Sequence, residues 1–172
     1  MPRRSVLTDA EIQELFAFPK SPEGIVQHYT LSEEDVVVIR QHRGDPQRFG
    51  FAVMLCAMRY PGILLDAGAA VPESVLKYVS AQLGIEPDAW SQYARRPQTR
   101  RSHLVELQQI YGFRVFRKDD YKRLLENLKE LAVLTDRGRA LGEKLIELLS
   151  EQKILAPGTD TIKVICSEAA MR

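Results

Sequence analysis

The chain has 172 residues and a mass of 19.6 kDa; 45% of its residues are hydrophobic and 27% are charged. A chain of this length buries about 70% of the surface that its unfolded form exposes, which is enough for a core without disulfides or metals. Two cysteines, Cys56 and Cys166, provide neither a disulfide framework nor a zinc cluster. No signal segment opens the chain, and no stretch approaches the roughly 18 apolar residues of a membrane-spanning helix. We therefore expect a cytoplasmic protein without a membrane partner.

The charge of the chain is balanced overall but uneven along the sequence. The formal net charge is +1, from 24 Lys and Arg against 23 Asp and Glu. Residues 95–123, however, carry nine basic residues against three acidic ones. The net charge alone indicates no class of partner, and its distribution identifies one basic block in an otherwise balanced chain.

Helix start signals dominate the first third of the chain. Thr8-x-x-Glu11 and Ser32-x-x-Asp35 are capping boxes, and Ser21-Pro22 and Asp45-Pro46 each place a proline directly after a capping residue. Gly44 is predicted to close the helix that begins after Ser32. The pattern predicts an all-α fold, a compact multi-helix bundle.

The next segments are also predicted to be helical. Residues 49–58 are apolar on nearly every face of a helix, which is typical of a buried one, and Pro61-Gly62 ends it. Further helices are predicted over residues 73–84, 87–95, 100–111, 119–134 and 139–152. Residues 159–171 are compatible with a helix or a strand. The chain is then one domain over residues 1–172, or two small lobes at 1–62 and 72–172.

Part of the basic block has the outline of a helix-turn-helix. A helix from Pro87, a break at Pro97 and a second helix from about Arg100 would place the early residues of that second helix against DNA. Within this helix, Leu104 and Leu107 fall on one side and Arg101 falls on the other, so the arginine is not needed for the core. The alternative is a solvated cationic face.

Catalytic and metal-binding patterns are weak. Ser74-x-x-Lys77 has the spacing of some acyl-transfer nucleophiles but lacks the accompanying motifs. His28, His42 and His103 are dispersed and do not have metal-ligand spacing. We expect no metal, no cofactor and no catalytic residue in this chain.

An ordered series of motifs through residues 1–116 resembles the amino-terminal domain of Tn-three family transposases. The motifs are Met1-Pro-Arg-Arg4-x-x-Leu7-Thr8; His28-Tyr29-Thr30-Leu-Ser32-x-x-Asp35; Ile39-Arg40-x-x-Arg43-Gly44; Arg48-x-Gly50-Phe51-Ala52-Val53-x-Leu55-Cys56-x-x-Arg59-Tyr60-Pro61-Gly62; Tyr93-Ala94-x-Arg96-x-x-Thr99-Arg100-x-x-His103; and Tyr111-Gly112-Phe113. From residue 117 onward the match consists of leucine-rich helices without diagnostic residues.

The resemblance implies a sequence-specific DNA-binding domain that recognises the terminal inverted repeats of a transposon during replicative transposition. In that family an Asp-Asp-Glu triad with divalent metal cleaves and joins DNA in a distant carboxy-terminal domain, which this chain is too short to include. The expected partners are double-stranded DNA, the remaining transposase domains and a second protomer, in the bacterial cytoplasm at the nucleoid. The segment itself is expected not to be an enzyme.

Eleven residues are the candidate DNA contacts. They are Arg95, Arg96, Arg100, Arg101, His103, Arg114, Arg117 and Lys118, with Arg40, Arg43 and Arg48 as a second patch. Arg59 has two interpretations, a phosphate contact or a buried arginine at a helix end. The alternative function is a helical assembly module, in which the leucine helices at 119–134 and 139–152 would expose an apolar seam.

Overall fold

The computed structural model describes residues 5–66, 69–93 and 97–171. These residues form ten α-helices and no β-strand, which confirms the all-α prediction. No helix in these ranges is long and apolar enough to cross a membrane.

The chain divides into two units. Unit 1 combines Met1–Ala17 with Arg114–Arg172, and unit 2 is Phe18–Phe113. This division differs from the predicted lobes at 1–62 and 72–172. The expected boundary near residues 61–71 falls inside unit 2, because the helix that follows it packs against helices that precede it.

Unit 2 is built around one buried helix. Its helices are α2 (Pro22–Tyr29), α3 (Glu33–Arg40), α4 (Asp45–Arg59), α5 (Glu73–Leu83), α6 (Ala89–Gln92) and α7 (Pro97–Tyr111). Every residue of α4 from Phe49 to Met58 is buried, as its apolar sequence predicts. Helices α2, α3, α5 and α6 pack on α4.

Helix boundaries in unit 2 follow the capping signals with three differences. Helix α3 ends at Arg40, and Gly44, with a φ of 85°, precedes α4 instead of closing α3. Helix α6 has only four residues, Ala89–Gln92, within the predicted helix 87–95, of which residues 94 and 95 lie outside the described residues. Helix α7 begins at Pro97, before the predicted cap Thr99, because proline suits the first turn of a helix.

Unit 1 contains α1 (Asp9–Leu15), α8 (Lys118–Ala132), α9 (Gly138–Glu151) and α10 (Thr159–Ala170). The ambiguous segment 159–171 is therefore helical. The leucines of α8 and α9 form the core of the unit together with Ile162 and Ile165 of α10. These leucines face their own core and form no exposed seam, whereas Val133 and Leu134, which also belong to the predicted segment 119–134, are 77% and 82% exposed.

Close packing at Gly50 in α4 generates a stability prediction. A Cβ atom at Gly50 would lie 1.9–2.3 Å from ring atoms of Tyr93. We expect Gly50→Ala to lower the free energy of unfolding by about 1–3 kcal/mol or more through overpacking. Gly158→Ala is the matched control, because nothing lies within 4 Å of its Cβ position. Urea unfolding followed by circular dichroism measures both, and equal stabilities would contradict the packing argument.

Candidate nucleic-acid interface

One face of α7 is exposed along three turns. Residues at helical spacing on this face are exposed, whereas His103 and Leu107 on the opposite face are buried. The exposed residues are Gln98, Arg101, Ser102, Val105 and Gln109. With a rise of about 1.5 Å per residue, this α7 stripe is about 16 Å long, which suits the major groove of DNA.

The α7 stripe has the chemistry of a base-reading surface. An arginine fork bonds guanine edges, amide side chains bond adenine, and hydroxyls bond either kind of base edge. The helix has one carboxylate, Glu106, which lies beside the stripe and is held by His42 Nε2 at 2.8 Å. No carboxylate therefore stands on the stripe itself to repel phosphates or compete for Arg101.

A cluster of aromatic and imidazole rings holds the buried face of α7. His103 Nδ1 lies 2.6 Å from the hydroxyl of Tyr93, and its ring contacts the rings of His42 and Phe51 at 4.7 and 5.3 Å. Burial, with a smaller contribution from nearby His42, lowers the pKa of His103 to about 4, against a weaker opposing effect of Glu106. His103 is thus neutral and internal.

In contrast to the prediction, His103 is not placed on the exposed surface where a DNA contact would be made. Its side chain is 5% exposed and bonded to Tyr93, so it supports α7 from below and presents no group to a ligand.

The second predicted patch spans the end of α3, the loop that follows it and the first turn of α4. Arg40 and Arg43 are exposed and have no ion-pair partner among the described residues. Arg48 has a different role, since its guanidinium donates to the carbonyl oxygens of His42 (2.8 Å) and Arg40 (3.2 Å). His42, which lies between Arg40 and Arg43 in the sequence, contacts α7 through Glu106.

Three predicted contacts, Arg95, Arg96 and Arg100, precede Arg101 in the sequence. Arg100 is half-buried; its Nε donates to the carbonyl oxygen of Leu65 at 2.9 Å, and its guanidinium lies 3.6 Å from Asp66. It therefore anchors the start of α7 to the segment before α5. Arg95 and Arg96 lie outside the described residues.

Arg59 belongs to a buried ion pair. Its two terminal nitrogens donate to the carboxylate of Asp35 at 2.6 and 2.7 Å, and the same carboxylate accepts from Ser32 N–H (2.9 Å) and Tyr111 Oη (3.1 Å). Burial would raise the pKa of Asp35, but these hydrogen bonds and the charge of Arg59 lower it to about 2. Neither sequence interpretation of Arg59 anticipates this partner.

Unit 1 contains a similar arrangement at the start of α8. Buried Asp120 accepts from Arg114 at 2.6 and 2.7 Å, from Arg123 at 2.7 Å and from Arg117 N–H at 2.8 Å. Hydrogen bonds from Arg114 hold the pKa of Asp120 well below its usual range, against the effect of burial. The guanidinium of Arg114 is therefore engaged by Asp120 and stabilises the fold.

Near the start of α8, the exposed cationic side chains that do not pair with Asp120 are Arg117, Lys118 and Lys122. None has an ion-pair partner among the described residues. Arg117 and Lys118 are predicted contacts, whereas Lys122, one helical turn after Lys118, is an addition. We call these three residues the α8 patch.

Sequence reasoning missed several residues of the candidate interface. Gln98, Val105 and Gln109 lack charge, so a search for basic residues passes over them, although helical spacing from Arg101 identifies their face. The sequence identifies Asp35 only as part of a capping box, and it does not indicate which arginines reach Asp35 and Asp120. Groups of side chains able to hold a metal ion are absent from the described residues.

Known sequences place this all-α chain in a protein family. The sequence model of the family described as "Domain of unknown function (DUF4158)" matches residues 6–169, and the chain belongs to that family. It is 42% identical over 172 residues to the transposase for transposon Tn3926 of Escherichia coli. Identity to the transposases for Tn21 of Escherichia coli and Tn501 of Pseudomonas aeruginosa is 40% and 38%.

Each of these matches covers 100% of this chain and 17% of the relative. The resemblance to Tn-three family transposases is confirmed, and the chain corresponds to their amino-terminal region. It thus spans about one sixth of the length of the curated relatives, 17% in each case.

The buried ion pair of unit 2 gives a pH-dependent prediction. Because the folded-state pKa of Asp35 lies near 2, below its ordinary 3.8, the stability it contributes is present above the ordinary value and is lost as the pH falls towards 2. Asp35→Asn should lower the free energy of unfolding by about 3 kcal/mol at neutral pH and flatten its decline below pH 4.

Urea unfolding monitored by Trp90, the single tryptophan of the chain, reports on this unit. Asp66→Asn is the control, since its carboxylate is 96% exposed and the change should stay within about 0.5 kcal/mol. An Asp35→Asn protein with the acid dependence of the wild type would refute the assignment.

Proposed function

We propose that this chain is the segment of a transposase that binds double-stranded DNA at the ends of the transposon, with sequence specificity for the terminal inverted repeats. The observation that carries the proposal is the α7 stripe, an exposed helix face with arginine, amide and hydroxyl groups and no carboxylate. The sequence relationship to transposases supports DNA as the partner.

The DNA is held by two kinds of contact, one to base edges and one to phosphates. The α7 stripe reads base edges in the major groove, while Arg40 and Arg43 neutralise phosphates beside it. The α8 patch supplies further phosphate contacts, which raise the affinity for any duplex and make it depend on salt.

The segment contributes binding and no strand cleavage or joining. Catalysis, with its divalent metal, belongs to another part of the transposase, to which this segment delivers the bound end. Its further partners are the remaining transposase domains and a second protomer, in the bacterial cytoplasm at the nucleoid.

Fluorescence anisotropy tests the proposal on the intact chain. The duplexes are the terminal inverted repeat of the transposon and a scrambled sequence of the same composition, each measured across a salt series. Tighter binding to the repeat near physiological salt is the expected result. Equal binding to both duplexes at every salt concentration would contradict sequence recognition by this segment.

Arg101→Ala tests the base-reading role of the α7 stripe. We expect it to weaken binding to the repeat by about tenfold or more and to relax the preference over the scrambled duplex, because a bidentate base contact is worth about 1–3 kcal/mol. Lys77→Ala, which removes one exposed cation from α5 that pairs with Glu73, is the control and should change both affinities by less than about twofold. Equal effects of the two substitutions would remove α7 from the interface.

Arg117→Ala tests the phosphate role of the α8 patch. Both duplexes should bind more weakly by a similar factor, and the slope of log affinity against log salt should fall by about one. Arg139→Ala is the matched control, because this exposed arginine pairs with Glu14 at 3.3 Å and Glu143 at 3.5 Å. A selective loss on the repeat alone would assign Arg117 to base reading instead.

A further inference from the structure

Val105 is the one apolar residue of the α7 stripe. Its side chain is 52% exposed and lies one helical turn from Arg101 on one side and one turn from Gln109 on the other. The rest of the stripe is polar. Val105 is therefore not needed for the core of unit 2, and its two methyl groups face outward between groups that form hydrogen bonds.

The surface around Val105 lacks the contiguous apolar area on which a protein partner would dock. The other exposed aliphatic residue in the second half of α7, Ile110, is turned about 140° around the helix from Val105, so the two do not form an apolar ridge. A docking protein would meet one isolated apolar contact among amide, hydroxyl and guanidinium groups, whereas protein interfaces have a contiguous apolar core.

The major groove of DNA offers a matching surface. Base edges there present hydrogen-bond donors and acceptors, and the single apolar group among them is the 5-methyl group of thymine. Small aliphatic side chains contact that methyl group, while neighbouring arginine and amide side chains bond to adjacent bases. We propose that Val105 is a specificity-determining residue that recognises a thymine methyl group in the bound repeat; this inference rests on the proposed function.

Helix geometry limits the distance between this thymine and the base that Arg101 reads. Arg101 and Val105 are about 6 Å apart along the helix axis, and successive base pairs are about 3.4 Å apart. The thymine contacted by Val105 therefore lies within about two base pairs of the base that Arg101 reads.

The test removes the methyl group without changing any hydrogen bond. The intact chain is titrated by anisotropy with repeat duplexes in which each thymine is replaced in turn by deoxyuridine. At one position, or at two adjacent ones, the wild type should bind about fourfold more weakly, the equilibrium equivalent of one buried methyl group. A mismatch scan with Arg101→Ala should relax preference within about two base pairs of that position.

Val105→Ser is the test variant, because serine and valine have similar helix propensities. It should bind the parent repeat about fourfold more weakly and lose the response to deoxyuridine. Val37→Ser is the matched control: Val37 is 59% exposed on α3 of the same unit, so this variant should keep both the parent affinity and the deoxyuridine response. Unchanged thermal unfolding of both variants separates the binding effect from misfolding.

Two results would overturn the inference in distinguishable ways. Specific binding to the repeat with no deoxyuridine effect at any position would refute methyl recognition and leave the proposed function intact. Equal binding of the wild type to the repeat and the scrambled duplex would refute the proposed function and this inference with it.

Discussion

Each unit contains a buried aspartate at the third position of a helix, and each of these carboxylates accepts several hydrogen bonds. In unit 2, Asp35 joins three helix ends at one carboxylate: the start of its own helix α3, Arg59 at the end of α4 and Tyr111 at the end of α7. An unpaired carboxylate in this position would cost several kcal/mol, so the arrangement is favourable only when all partners are in place. This requirement fixes the mutual orientation of the three helices.

The orientation of α7 depends on that constraint and on two others. Arg100 bonds its first turn to a backbone carbonyl, His103 bonds its middle to a tyrosine hydroxyl, and Tyr111 bonds its end to the carboxylate of Asp35. Because these three bonds hold the helix, the exposed residues on its opposite face are not needed to position it. A recognition surface gains affinity when it is held rigidly before binding, since less conformational freedom is then lost.

Local signals in the sequence predicted the helices well and their long-range partners poorly. The capping boxes at Thr8 and Ser32 and the buried character of α4 follow from spacing within a few residues, and the structure confirms them. The ion pair of Asp35 with Arg59 spans 24 positions, and nothing in the pattern distinguishes Arg59 from an exposed arginine. For the same reason basic residues committed to the fold, such as Arg114, were grouped with free ones.

The order of the two units along the chain has a consequence for how the protein is made. Unit 2 is a continuous segment, Phe18–Phe113, inserted between the two pieces of unit 1. During synthesis, unit 2 is complete once residue 113 has left the ribosome, whereas α1 must wait for α8, α9 and α10 before its apolar face is covered. Because unit 2 is one continuous segment, replacing all of Phe18–Phe113 would leave every residue of the unit 1 core unchanged.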